Sequence, residues 1–308
     1  MNPKKFSFRL VFPLLTMLLF VYACKTTKPS ELTYKPLEKN LLWEISGPGI
    51  TKPSYLYGTI HIIGAKDFYL PKGTMSAFDA SRKVVFEIDM KEMTDMSKMM
   101  GMMNKIFMKD GMTLKDLVSE ADYKMIGEHF KKVGLPIFML EKMKPMFLTV
   151  FAYADMDPSG LKTGNMKSYE MEFMEMAQNT NKETSGLESI DFQISLFDEI
   201  PYDVQAKMLV NAIKSTESEG DDEFKKMTKM YLDQDISAMV KMISDEGNSV
   251  AGFEDKLVSG RNKNWIPLII EEAKKSQTFF AVGAGHLGGP DGVIHLLRKA
   301  GYKMKPVQ

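Results

Sequence analysis

The sequence has no excess of charge and very little cysteine or histidine. Its 308 residues contain 40 basic and 40 acidic side chains, one cysteine and four histidines. Because the formal net charge is zero and no long basic run follows the N-terminus, nothing supports electrostatic binding of nucleic acid, and we expect no such partner. No internal repeat of about 20–50 residues is present, so a repeat architecture is not expected.

The sequence also lacks an apolar run of comfortable membrane-spanning length. The stretch Leu10–Ala23 is shorter than the roughly 20 residues of a transmembrane helix. It follows a basic segment and precedes Cys24, a pattern typical of an export signal. The alternative is a short anchor helix that is not cleaved.

The residues "FVYAC" at the end of that stretch resemble a bacterial lipobox. This resemblance implies cleavage before Cys24 and attachment of lipid to its sulfur, which would otherwise be a lone reactive thiol. We therefore predict a lipoprotein signal peptide at 1–23, an anchor cysteine and linker at 24–39, and a domain at 40–308. The protein is expected to be exported and anchored to a bacterial membrane, facing the periplasm or the cell surface.

Apolar and β-branched runs predict strands near both ends of this domain. They are "LLWEIS" at 41–46, "SYLYGTIHII" at 54–63, "KVVFEIDM" at 83–90, "SQTFFAVGAGHL" at 276–287 and "YKMKPV" at 302–307. Between about 92 and 275 the apolar residues recur at helical spacing, with one candidate strand inside "NKETSGLESI". The expected fold class is α+β, with a mixed sheet built from N- and C-terminal segments and a large helical insert.

Methionine is abundant, and seven of the 27 lie between 96 and 112. A thioether cluster in an exported protein could bind a soft metal such as Cu(I). Methionine also fills apolar cores and grooves, and the same residue recurs elsewhere at plain helical spacing. The favoured interpretation is that the segment lines an amphipathic helix or an apolar groove.

Two of the four histidines share one local pattern. Gly58-Thr59-Ile60-His61 and Gly283-Ala284-Gly285-His286 each follow a predicted strand. Strand exits are where sheets with helical crossovers place their ligands, and the glycines allow close approach of a backbone or ligand. The alternative is that each histidine is an ordinary core imidazole. His129 and His295, predicted on a solvated helix face and an amphipathic helix, are not expected in the site.

A carboxylate could complete a site with these imidazoles. Glu87 is flanked by apolar residues in a predicted buried strand, where an acid has to be paired or functional. Asp89 is expected on the same face. Two imidazoles and a carboxylate suit a divalent transition metal with an open position for water. The alternative for Glu87 is a salt bridge with Arg261 or Arg298.

Five blocks in order resemble the TraB/GumN family, whose eukaryotic relatives include the Tiki proteins, proposed metal-dependent proteases. They are "YLYGTIHII", "VVFEIDM", "SGLESI", "GRNKNWI" and "FFAVGAGHLGGPDGVIHLLRKAGYKM", and the resemblance runs from about 40 to 306. It implies a mixed sheet, metal-linked hydrolysis and a site shared by His61, Glu87 and His286. The same blocks imply that Glu188, Arg261 and Asn262 line the site.

The sequence therefore predicts a metal-dependent hydrolase, with a peptide or protein as the expected substrate. His61, His286 and Glu87 are the expected ligands of a divalent ion (Zn, Mn or Co), and Glu87 is either a ligand or the general base. The guanidinium of Arg261 suits an oxyanion or a substrate carboxylate. Glu188 serves either the site or a helix N-terminus. The alternative function is a non-catalytic lipoprotein that binds a metal, a metallocompound or a peptide in the same pocket.

Overall fold

The computed structural model describes residues 35–132, 134–152, 164–217, 221–244 and 252–308. The predicted signal peptide and Cys24 lie outside these residues, as does the first part of the predicted linker. Within the described residues, no helix has both the length and the apolar character needed to cross a membrane.

Apart from β3 and β5, which were not predicted as separate strands, the strands of the described residues lie close to the predicted ones. They are β1 (Leu42–Ser46), β2 (Ser54–Thr59), β3 (Ile63–Gly64), β4 (Lys83–Ile88), β5 (Met166–Lys167), β6 (Glu183–Glu188), β7 (Thr278–Gly283) and β8 (Lys303–Pro306).

Six of these strands form one mixed sheet in the order β6-β4-β7-β2-β1-β8. β6, β4, β7 and β2 run parallel, whereas β1 is antiparallel to both β2 and β8. β3 and β5 form a separate two-stranded ladder. The predicted α+β class with a mixed sheet is confirmed. β8 lies at the edge, as predicted, and β6 is the strand that the helical segment contributes.

The position of β7 explains its continuous apolar sequence. It lies between β4 and β2, and its residues from Thr278 to Val282 are all buried. A strand covered on both faces needs apolar side chains on both, so "FFAV" shows no alternation. β8 is an edge strand, and its exposed and buried residues do alternate.

The register places the carboxyl ends of the four parallel strands together. Thr59 at the end of β2 pairs with Gly283 at the end of β7, and Ile88 at the end of β4 pairs with Glu188 at the end of β6. We call this edge of the sheet the carboxyl edge. It is the edge at which parallel sheets with helical crossovers bind ligands.

Helices account for most of the chain between β4 and β7 and cover the sheet. The helices of the described residues are α1 (Thr74–Ala80), α2 (Met96–Met103), α3 (Glu120–Lys132), α4 (Ile137–Leu140), α5 (Pro145–Ala152), α6 (Tyr169–Asn179), α7 (Ile190–Phe197), α8 (Tyr202–Glu217), α9 (Asp221–Leu232), α10 (Ile236–Ile243), α11 (Gly260–Lys275) and α12 (Val293–Lys299). Short helical turns lie at Met90–Thr94, Leu114–Asp116, Asp255–Ser259 and Ala284–His286.

Side-chain caps fix the starts of two helices that matter below. Ser168 caps α6 by accepting a hydrogen bond from the Met171 N–H, and Ser189 caps α7 by accepting one from Phe192. Each hydroxyl satisfies a backbone donor that has no partner within the helix. The caps thereby set where the first turns of α6 and α7 stand against the carboxyl edge.

The main core surrounds the sheet, and a second core lies within the helical segment. Phe86, Phe279 and Phe280 are fully buried in the first core, whereas Phe130 and Leu209 are fully buried in the second. Residues 96–103 of the methionine-rich segment form α2, as the helical interpretation predicts, yet no residue of α2 is buried. Its methionines therefore do not fill either core.

Candidate functional site

The structure brings five predicted site residues into one hydrogen-bonded cluster at the carboxyl edge. Glu87 lies near the end of β4, Glu188 ends β6, and His286 follows β7. Arg261 and Asn262 come from the first turn of α11. Their assignment to one site was predicted from sequence blocks that are up to 199 residues apart. Their catalytic or ligand roles stay predictions.

Glu87 is buried and bound by three N–H donors. Its Oε1 accepts the Gly283 backbone N–H at 2.8 Å. Its Oε2 accepts Nη2 of Arg261 at 2.5 Å and Nε2 of Gln193 at 3.2 Å. Burial raises the pKa of this carboxyl, but His286, Arg261 and His61 together outweigh it and hold the pKa at about 2. Glu87 is therefore a carboxylate at neutral pH.

Arg261 joins Glu87 to Glu188. Nε and Nη2 of Arg261 donate to Glu188 Oε1 at 2.9 and 2.5 Å. The other oxygen of Glu188 accepts the Trp265 indole N–H at 2.9 Å. Arg261 also stacks on the Trp265 ring, 4.9 Å from its centre. The salt bridge between Glu87 and Arg261, considered as an alternative from the sequence, is present. The hydrogen bonds from Arg261 and Trp265 account for the buried position of Glu188 without a role at a helix start.

His286 is held in one tautomer by Asn262. The amide nitrogen of Asn262 donates to the carbonyls of His286 and Asp291, so its oxygen faces His286 Nδ1 at 2.7 Å. Nδ1 therefore carries the proton, and the lone pair of Nε2 accepts an N–H of Arg261. This Nε2 lies 3.2 Å from Arg261 Nη1 and 3.8 Å from Glu87 Oε1.

The protonation of His286 follows from its surroundings. Burial lowers its pKa to about 4, and the positive charge of Arg261 acts in the same direction against Glu87. Its ring lies 4.5 Å from the Trp265 ring, centre to centre, which adds apolar contact. His286 is thus neutral at pH 7, and the charge that faces Glu87 at that pH is that of Arg261.

His61 lies apart from this cluster but opens onto the same pocket. Its side chain is 75% exposed, and its Nδ1 lies 3.0 Å from Glu170 Oε1. The Glu170 carboxylate raises the pKa of His61 above its ordinary value. His61 contacts neither Glu87 nor His286 within hydrogen-bonding distance in the described residues.

A pocket of about 260 Å³ connects His61 with Glu87. Its walls combine apolar side chains with carboxylate, amide and hydroxyl groups: His61, Ile62, Phe86, Glu87, Ile88, Met90, Ser168, Glu170, Met171 and Gln193. A second pocket of about 210 Å³ lies on the other side of Asn262, against the glycines that follow His286. Of the predicted site residues, His61 and Glu87 line the first pocket and Asn262 lines the second.

Two residues of the site were missed by sequence reasoning. Gln193, on α7, donates to both Glu87 and Glu188, at 3.2 and 2.7 Å. Glu170, on α6, binds His61. Both lie in helical stretches with no pattern that links them to the histidine motifs, so the sequence carried no direct signal for them.

Two predictions, one for Asp89 and one for His129, were wrong. Asp89 does not share the face of Glu87, because β4 ends at Ile88 and the Asp89 carboxylate instead accepts the Lys91 N–H. His129 is 8% exposed on α3, with its ring edge-on to Phe130, and is not on a solvated face.

The donor types fit a divalent metal ion. Both imidazoles have Nδ1 against an acceptor oxygen, the arrangement that usually orients a metal-binding histidine with Nε2 as the ligand. Glu87 adds a carboxylate between them. Among the described residues, however, no three histidine, cysteine or acidic side chains stand close enough together to form a metal centre. Arg261 contacts both Glu87 and His286 in this arrangement.

Comparisons with known proteins agree with the sequence resemblance. Metalloprotease TIKI1 of Danio rerio is 22% identical, over 92% of this chain and 65% of its own length. Metalloprotease TIKI2 of Danio rerio is 20% identical, over 86% and 60%, and human Metalloprotease TIKI1 is 22% identical, over 88% and 63%. The chain thus spans less than two thirds of these relatives. No solved structure matches it significantly. The model of the TraB/PrgY/gumN family matches residues 41–306, and the chain belongs to this family.

Proposed function

We propose that the protein is a membrane-anchored, extracytoplasmic, metal-dependent hydrolase that cleaves peptides. One observation carries the proposal: two imidazoles and a carboxylate lie at the carboxyl edge, with His286 next to Glu87 and His61 in the wall of the pocket that Glu87 also lines, and each imidazole has Nδ1 engaged. The curated relatives are named metalloproteases, which supports peptide hydrolysis as the reaction class.

The residues that would hold the metal are His61, His286 and Glu87. When bound, a Zn, Mn or Co ion would lower the pKa of a coordinated water to about 7 and supply hydroxide at neutral pH. Asn262 keeps the single ring proton of neutral His286 on Nδ1. Nε2 can therefore donate its electron pair to a metal ion without first losing a proton. Glu87 is ionised and can serve as a ligand or as a general base.

Arg261 has two functions in this proposal. It compensates the buried charges of Glu87 and Glu188, and it presents a guanidinium next to the pocket. To bind a substrate carboxylate or an oxyanion, this guanidinium would exchange some of its present acceptors for the ligand, because all of its N–H groups are engaged. Gln193 keeps Glu87 and Glu188 at a fixed separation because its amide nitrogen donates to both.

The membrane anchor in this proposal is supported by the sequence alone. The basic segment, the apolar stretch and the lipobox-like "FVYAC" support cleavage before Cys24 and lipid attachment there. The site would then work outside the cytoplasm at a membrane surface, with access to exported or surface peptides.

A specific observation favours the alternative of binding without catalysis. Glu87 already accepts three hydrogen bonds, so a metal would have to replace at least one donor. A peptide bound in the pocket beside Glu87, without a ligand bond to this carboxylate, would need no such replacement.

Turnover separates the two candidates. Purified protein is incubated with Zn(II), Mn(II) or Co(II) and a diverse peptide library, and the cleavage products are identified by mass spectrometry. The hydrolase is expected to lose cleavage in both His61→Ala and His286→Ala, while Glu175→Ala, an exposed site on α6, keeps it. Tight metal uptake without cleavage by the unaltered protein would favour the binding protein.

A further inference from the structure

Glu170 is a buried carboxylate that faces the first histidine motif from a helix 109 residues away in sequence. It is the second residue of α6, directly after the Ser168 cap and its neighbour Tyr169. Its side chain is only 13% exposed, whereas the His61 ring that it contacts is 75% exposed. The carboxylate is thus on the protein side of the contact and the imidazole on the pocket side.

Three groups from two segments converge on this carboxylate. Oε1 accepts the Thr59 hydroxyl at 2.6 Å and lies 3.0 Å from His61 Nδ1. Oε2 accepts the Ser168 hydroxyl at 3.1 Å. A buried carboxylate is costly unless its oxygens are hydrogen-bonded, and here both are. The two hydroxyls therefore hold Glu170 in place independently of the imidazole.

His61 depends on this contact for its orientation. The ring follows β2 in an exposed loop, and among the described residues its hydrogen bond to Glu170 is the one that is found. An exposed side chain with no fixed partner samples several rotamers, and fixing it costs conformational entropy. Glu170 supplies the fixed partner, so the ring is oriented before any ligand arrives.

The same nitrogen is held in both histidines of the site, but by different groups. Nδ1 of His286 faces the neutral amide oxygen of Asn262, and Nδ1 of His61 faces an anionic carboxylate. A carboxylate at Nδ1 makes the imidazole Nε2 a stronger electron-pair donor to a metal ion than a neutral group at Nδ1 does. The two histidines are therefore oriented alike and differ in basicity.

We infer that Glu170 is the positioning residue of His61: it fixes the ring through Nδ1 and directs Nε2 into the pocket. The ligand role of His61 rests on the proposed function, but the orientation of its ring does not. The contact also gives Thr59 a role, because its hydroxyl donates to the Glu170 carboxylate at 2.6 Å.

Ring order is the first measurement of the test. The protein is labelled with ¹³C at histidine Cε1, and relaxation is compared in the unaltered chain, Glu170→Ala, Glu170→Gln and the control Glu175→Ala. In Glu170→Ala the order parameter of His61 is expected to fall from about 0.85 to below about 0.6, the values of rigid and flexible groups. His286 stays rigid because Asn262 holds it, and Glu175→Ala changes neither ring.

Co(II) affinity without substrate is the second measurement. It is expected to fall by about 10–100-fold in Glu170→Ala, as for other residues that orient a metal-binding histidine. Glu170→Gln keeps an acceptor for Nδ1, so its Co(II) affinity is expected to lie between those of the unaltered protein and Glu170→Ala. This variant serves as the test if Glu170→Ala does not fold. A His61 ring that stays rigid in both variants, or a His286 ring that loosens equally, would overturn the inference. If the unaltered protein takes up no Co(II) and cleaves no peptide, the proposed function fails while ring order still decides the role of Glu170.

Discussion

Replacing Arg261 by methionine should destabilise the protein strongly at neutral pH and much less in acid. The change removes the cation between two buried carboxylates, because the side chains of Glu87 and Glu188 are 11% and 6% exposed. Breaking a buried ion pair by removing one partner typically costs about 3–5 kcal/mol. For a domain of this size the melting temperature should fall by roughly 10 °C.

The pKa of Glu87 gives an independent estimate of this cost. The pKa is about 2 in the folded protein against 4.5 for the free side chain. Since the folded value is the lower one, ionised Glu87 stabilises the fold above pH 4.5, and this stabilisation is lost as the pH falls towards 2. At about 1.4 kcal/mol for each pH unit, the contribution is about 3 kcal/mol. His286 and Arg261 are the main causes of the lowered pKa, and of these two Arg261 is the one that stays charged at pH 7.

Chemical unfolding at two pH values tests this reasoning. The free energy of unfolding is measured at pH 7.5 and pH 5 for the unaltered protein, Arg261→Met, Glu87→Gln and the double variant. The cost of Arg261→Met should shrink at pH 5, where a carboxylate without its cation can take up a proton. The double variant should recover part of the loss, because one buried charge is gone. A cost below about 1 kcal/mol at pH 7.5, or an equal cost at both pH values, would refute the argument.

Three further predictions follow from other parts of the chain. In histidine NMR titrations of the metal-free protein, His286 should stay neutral down to about pH 4 while His61 titrates above 6.5, and a His286 midpoint near 6.5 would contradict its buried placement. Gly186→Ala should abolish folding, as seen by circular dichroism, because the added Cβ would lie 2.3 Å from the Asp89 nitrogen; near-native stability would show that β6 and β4 can separate. Cys24→Ser should lose incorporation of a fatty-acid analogue, and equal labelling of both proteins would exclude this cysteine as the lipid site.

Local patterns explain how much of the fold could be predicted. β7 and β4 are short β-branched or aromatic runs, and such runs mark strands wherever they pack on both faces. The two Gly-x-x-His motifs follow strands, so the parallel pairing of β2 with β7 was enough to bring their ends together. The convergence of Glu87 and Arg261 also came from a local rule, since a buried acid needs a partner.

The rest of the site depends on contacts that no local pattern encodes. Glu170 and Gln193 lie on helices whose sequences specify only which face is apolar, and their partners are set by how α6 and α7 dock on the sheet. His129 was assigned to the wrong face for a related reason. It lies three residues from buried Ile126 and next to buried Phe130, where helical periodicity alone does not separate the core from its margin.

The place of β7 in the sheet determines when the site can form during synthesis. A chain that ends before residue 278 contains β1 with β2, and β4 with β6, but lacks the strand that joins these two pairs. His61 and Glu87 then stand on separate pieces, and Glu87 lacks its partners from Gly283 and His286. Because the joining strand is separated from β2 by more than 200 residues, closing the sheet is a late and slow step. The pocket is therefore assembled only after residue 283 has been synthesised, because a shorter chain lacks the strand and the N–H that hold Glu87 in place.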